Sequence, residues 1–153
     1  MNEQKESKQI IIERKFEKRL TTIAGVWEII MGLLTIFFYG PYHRRQGLDL
    51  IEDGIPLLEA EAINAVFSSL YMFIVILGMF FMILGLINVF LAKKMCHDQV
   101  ERKIPIFLIL IGIVSYFLMD FIGAILLLAA GTFALAKNKS IIKNKNEGRD
   151  LNA

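Results

Sequence analysis

The sequence has one cysteine, three prolines, one tryptophan and two histidines in 153 residues. A single thiol, Cys96, cannot close an intramolecular disulfide, so a stapled secreted domain is excluded. His43 and His97 lie in different polar segments, and no Cys/His cluster has zinc spacing. There is no glycine-rich phosphate loop followed by a lysine. Net charge is only +2, and no basic patch is interleaved with aromatic residues, so nucleic acid is not expected as a partner. Charged residues make up 21% of the chain and hydrophobic ones 56%, against roughly 25% and 45–50% in soluble domains.

The shortage of charge is local. Four blocks, Leu20–Tyr39, Ala65–Ala92, Ile104–Met119 and Phe121–Ala136, hold 80 residues and a single charged side chain, Glu28. A bilayer core of about 30 Å needs about 20 apolar helical residues. The first block, 20 residues long, meets that need. The second has 28, so it must tilt or protrude. The third and fourth have 16 each with Asp120 between them, which reads as a hairpin. Its tip is expected near Asp120 and Gly123, with the glycine permitting the reversal and Asp120 hydrated. The N-terminus is read as leading into a retained span, because the first apolar block is longer than the 7–15 residues of a signal peptide core.

Charge orients the blocks. Residues 1–19 carry six Lys and Arg, residues 93–103 four and residues 137–153 five, leaving two for loop 41–64. Fifteen of 17 basic residues therefore fall on alternate segments. The positive-inside rule then predicts four crossings with both termini cytoplasmic. Loop 41–64, with five acidic residues, faces outward. The expected organisation is a basic N-terminal segment 1–19, a membrane domain 20–136 with spans 20–39, 65–92, 104–119 and 121–136, and a basic tail 137–153. The expected fold is an all-α integral membrane four-helix bundle with a short extracellular loop between helices 1 and 2. Pro56 suits the first turn of a helix running into the second span.

Gly25 and Gly32 are seven residues apart in the first span, and Gly78 and Gly85 seven apart in the second. Residues so spaced share a helix face, and small ones let helices approach closely in lipid. Gly112 and Gly131 are expected to do the same in the third and fourth spans. Glu28 is the sharpest anomaly. A carboxylate at that depth is costly and faces the bundle interior. Desolvation favours its neutral form, which could bond Ser115 or Tyr116, while Asn88 lies nearer the cytoplasmic boundary. Locking two helices together is the expected role, and binding a transported proton is the competing one.

The pattern resembles a family of small four-span membrane proteins of low-GC Gram-positive bacteria, described as a domain of unknown function. The resemblance rests on Arg14-Lys15-Phe16-Glu17, the glycine-spaced first span, and Ile83-Leu84-Gly85-Leu86-Ile87 before Lys93-Lys94. It also rests on Ile111-Gly112-Ile113-Val114-Ser115 and the run Ile122–Gly131, so that it extends from about Arg14 to Lys137. It implies a bacterial plasma membrane location and a four-span topology, and no activity or catalytic residue.

The expected function is therefore a non-enzymatic accessory membrane protein without a cofactor. Its partners would be the lipid bilayer and a second membrane protein or a second copy of this chain, or it would protect against a membrane-active agent. The alternative is a small proton-coupled exporter using Glu28. Intramembrane hydrolysis would need paired carboxylates or a Ser/His set at one depth, and the spans hold neither.

Overall fold

A computed structural model describes residues 14–52, 56–95 and 102–150. Those residues are all-α: α1 (Lys15–Leu34), a π-helical turn (Thr35–Tyr39), α2 (Gly40–Glu52), α3 (Leu57–Lys94), α4 (Lys103–Phe117) and α5 (Phe121–Asp150). No strand occurs among them. Lys15–Ile51, Leu58–Lys94 and Phe121–Lys143 are each long and apolar enough to cross a membrane. With 15 residues, α4 is ~22 Å long, short of a full crossing. Cys96 and His97 lie outside the described residues. Every α-helix exposes large apolar side chains, among them Ile30 on α1, Leu48 on α2, Phe73 on α3, Phe107 on α4 and Ile125 on α5. So much exposed apolar surface is that of a membrane protein, whose lipid-facing side chains need no protein cover.

In the stretch 41–64 the residues up to Glu52, expected as loop, are helical, while the helix expected from Pro56 into the second span is α3, from Leu57. The carbonyl oxygen of Pro56 accepts the N–H groups of Glu59 and Ala60, at 2.9 and 3.0 Å, so the proline opens α3. Likewise α1 begins at Lys15, five residues before the expected span, and α5 continues well past Ala136 into the basic tail.

The chain divides into two compact units, Met1–Ala24 with Asn88–Ala153, and Gly25–Ile87. In the first, α4 and α5 form an antiparallel hairpin, and on each helix one stripe of buried residues follows alternating steps of three and four, with Pro105, Gly112, Gly123 and Ala130 buried beside it. On α4 the stripe is Ile104, Leu108, Ile111 and Ser115; on α5, Ala124, Leu127, Gly131, Ala134, Asn138 and Ile141. That spacing keeps one stripe of each helix against its neighbour. Gly112 packs on Leu128 and Gly131 on Ile109, one shared register.

The hairpin turn is built differently from the expectation. Asp120 N–H donates to Ser115 C=O at 2.9 Å and Met119 N–H to Tyr116 C=O at 3.1 Å, the two bonds of a Schellman motif. Its left-handed residue, usually glycine, is Met119, with φ 66°. Asp120 then caps α5, its Oδ1 accepting the Gly123 N–H at 3.0 Å. Gly123 therefore does not make the reversal. It sits in the first turn of α5, where a β-carbon would collide with the Asp120 carboxylate. Asp120 is turned onto the helix end and only 4% exposed, rather than hydrated at the tip.

Candidate functional site

In the unit Gly25–Ile87, the glycines form a seam between two antiparallel helical arms. A β-carbon on Gly85 would lie 2.5 Å from the Gly25 carbonyl oxygen and 2.7 Å from Ile29 Cγ1. One on Gly78 would lie 2.5 Å from Ile36 Cγ1 and 2.9 Å from the Gly32 carbonyl oxygen. Two further glycines, missed in the sequence, continue the seam: Gly40 faces the Tyr71 ring and Gly47 the Phe67 ring.

The intervals along the first arm, from Gly25 through Gly32 and Gly40 to Gly47, are seven, eight and seven residues. The partners Gly85, Gly78 and Tyr71 are spaced by seven, and Phe67, whose ring meets Gly47, lies four residues before Tyr71. The first arm thus carries one residue more than the second between Gly32 and Gly40. The π-helical turn absorbs it, the Gly40 N–H reaching back five residues to the Thr35 carbonyl. Without that wider turn, Gly40 and Gly47 would rotate off the seam. The unequal glycine spacing was the signal that could have revealed it.

Next to this seam, Glu28 is 0% exposed on α1, one residue before the Ile29 that covers Gly85. Asn88 on α3 and Ser115 on α4, both in the other unit, are equally buried. Burial steps along α1 through Arg14, Glu17, Thr21, Ala24 and Glu28, the same alternation of three and four. Four of those five residues are polar, so Glu28 continues a polar stripe rather than standing alone.

Within the first unit the stripe meets α5. Lys137 Nζ lies 2.9 Å from Glu17 Oε1 and 3.0 Å from Oε2. Arg14 donates through Nη2 to Asn138 Oδ1. Phe16 on α1 and Phe133 on α5 also meet edge to face, their ring centroids 5.4 Å apart. No sequence pattern pairs Arg14 or Lys137, which count there towards the orientation of the spans. Their partners lie more than 100 residues away, beyond any local pattern. Thr21 and Thr35 satisfy their own hydroxyls on the carbonyls of Glu17 and Met31.

On α2, Tyr42, His43 and Gln46 make a small exposed network, Gln46 donating to the Tyr42 hydroxyl at 3.2 Å. Arg44 lies 5.8 Å from the Tyr71 ring centroid, a cation–π contact. Among the described residues no group of three or more His, Cys, Asp or Glu is placed to hold a metal ion.

The segment from the entry of α1 to the end of α4 matches a described family over residues 13–118. The chain belongs to the family "Protein of unknown function (DUF4064)". The match covers α1, the π-helical turn, α2, α3 and α4, and with them Glu28, Asn88, Ser115 and every glycine of the seam. It stops before α5, so the Ile122–Gly131 run that contributed to the sequence resemblance lies outside the DUF4064 segment. No curated protein and no solved structure matches the chain.

Proposed function

We propose that this DUF4064 protein is a non-enzymatic accessory component of the bacterial plasma membrane, crossing it four times with both termini cytoplasmic. It acts by binding another membrane protein or a second copy of itself, or by protecting the membrane against a membrane-active agent. The observation that carries this reading is the complete burial of Glu28 beside the glycine seam. A carboxyl that takes up and releases a transported proton needs access to water, whereas one that holds helices together does not. The charge alternation of the sequence supports the orientation.

The competing reading is a proton-coupled exporter, favoured by Glu28 being the one charged residue within the apolar blocks. Glu28→Gln separates the two. It keeps the shape and the hydrogen-bonding capacity and removes titration. The accessory reading expects normal folding, an unchanged melting temperature in detergent, and no loss of any cellular phenotype that deletion of the gene produces. A pH-gradient-driven flux in proteoliposomes that vanishes in the Gln variant would replace it with the exporter.

A further inference from the structure

The polar end of the first unit contains a cavity of about 230 Å³ that opens to the surface, lined by Arg102, Leu135, Asn138, Lys139 and Ile142. Arg102 immediately precedes α4, and the other four come from α5. The cavity has two chemistries. Arg102 and Lys139 extend exposed cationic side chains at its rim, while Leu135 and Ile142, seven residues apart on one face of α5, supply apolar walls. Asn138 lies between them, buried, with the Arg14 guanidinium donating to its side-chain oxygen, so a third cation stands behind the wall. The nearby Glu17 carboxylate is engaged by Lys137. Among the described residues neither Arg102 nor Lys139 forms an ion pair.

The position of the cavity narrows what it can hold. The apolar block of α5 ends at Ala136 and that of α4 begins at Ile104, so both cations stand where apolar helix gives way to polar. In a membrane protein this is the headgroup level, where basic cavities between helices recognise anionic lipid headgroups. A phosphate group is the anion such a pair fits, the guanidinium offering two parallel donors and the ammonium a point charge. Free phosphate would gain nothing from Leu135 and Ile142. A phospholipid would place its first methylenes against them.

We propose that this cavity binds an anionic phospholipid, with Arg102 and Lys139 holding the phosphate and Leu135 and Ile142 the adjoining glycerol and acyl carbons. The assignment rests on the membrane reading above.

The test uses the full chain purified in detergent and melted with added phosphatidylglycerol, phosphatidylcholine or inorganic phosphate. Phosphatidylglycerol is expected to raise the melting temperature well above either comparison. In the Arg102→Gln/Lys139→Gln variant that difference disappears, with lipid affinity reduced about tenfold or more. Lys139→Gln alone, a change at an exposed side chain, weakens the response and serves if the double variant does not fold. An unchanged response in the variants, or an equal rise with phosphatidylcholine, overturns the proposal. An equal rise with inorganic phosphate overturns the lipid assignment. Extraction of the chain from membranes by alkaline carbonate overturns the membrane reading itself. Retention in the membrane with a flat lipid response overturns the lipid site alone.

Discussion

The carbonyl oxygen of Gly25 lies 2.5 Å from the point that a β-carbon on Gly85 would occupy. The Ile29 backbone nitrogen lies 2.9 Å from the same point, so Gly85 is enclosed by main-chain atoms of α1. Backbone of a helix cannot step aside as a flexible side chain can. The contact is therefore closed to any residue larger than glycine unless the two helices separate.

Gly85→Ala should destabilise the protein by ~1–3 kcal/mol through overpacking. Gly112→Ala should lose less, because the atoms its β-carbon meets stand farther off, Leu128 Cγ at 3.0 Å and Leu128 Cδ2 and backbone nitrogen at 3.2 Å. Thermal unfolding of the two variants in one detergent compares them directly. Equal melting temperatures would show that the Gly25–Gly85 contact tolerates a methyl group.

The π-helical turn exists to absorb one extra residue, so deleting one should be tolerated. Removal of Phe38, an exposed residue within the turn, would let residues 35–39 relax to α-helix while Gly40 and Gly47 stay on the seam. Removal of one residue from α3 between Tyr71 and Gly78, such as Ile76, rotates the partners instead by ~100°. The Phe38 deletion should fold and melt near the parent, and the Ile76 deletion should fail to yield monodisperse protein by size-exclusion chromatography.

Met119 occupies a left-handed position, φ 66°, that costs an L-residue with a side chain roughly 1–2 kcal/mol. Met119→Gly removes that strain and regains flexibility in the unfolded chain, for a net stabilisation of about 0.5–1 kcal/mol. Met119→Val, β-branched, should be destabilising. Melting temperatures that order as Gly above Met above Val would support the Schellman assignment.

The Glu17–Lys137 pair is asymmetric: the Glu17 side chain is 0% exposed and that of Lys137 31%. Truncating Lys137 to Ala leaves a carboxylate buried without this cation, with a loss on the order of 3 kcal/mol. Truncating Glu17 leaves a lysine whose long stem can carry its ammonium towards water, so the loss should be smaller. A double-mutant cycle on the two positions gives both values, and a greater loss for Glu17→Ala than for Lys137→Ala would contradict the asymmetry.

What the sequence determined by itself was the class of solvent and the helical character. Runs such as Ala65–Ala92 carry no charge over 28 residues, and that alone requires backbone groups satisfied within a helix and side chains suited to lipid. The seven-residue spacing of Gly25 with Gly32 and of Gly78 with Gly85 was legible too, because helical periodicity is a local property.

Tertiary structure decided the rest, for three reasons. Helix ends are set by packing as much as by hydropathy, so the polar text of residues 41–52 reads as loop although it is helix. The π-helical turn is a property of two arms of unequal length, visible only when Gly40 is matched with Tyr71. The polar partners Arg14 with Asn138 and Glu17 with Lys137 are joined across most of the chain. Burial makes such groups find each other, since a charge withdrawn from water without a partner is too costly to persist, but nothing in the local sequence says which partner it will be.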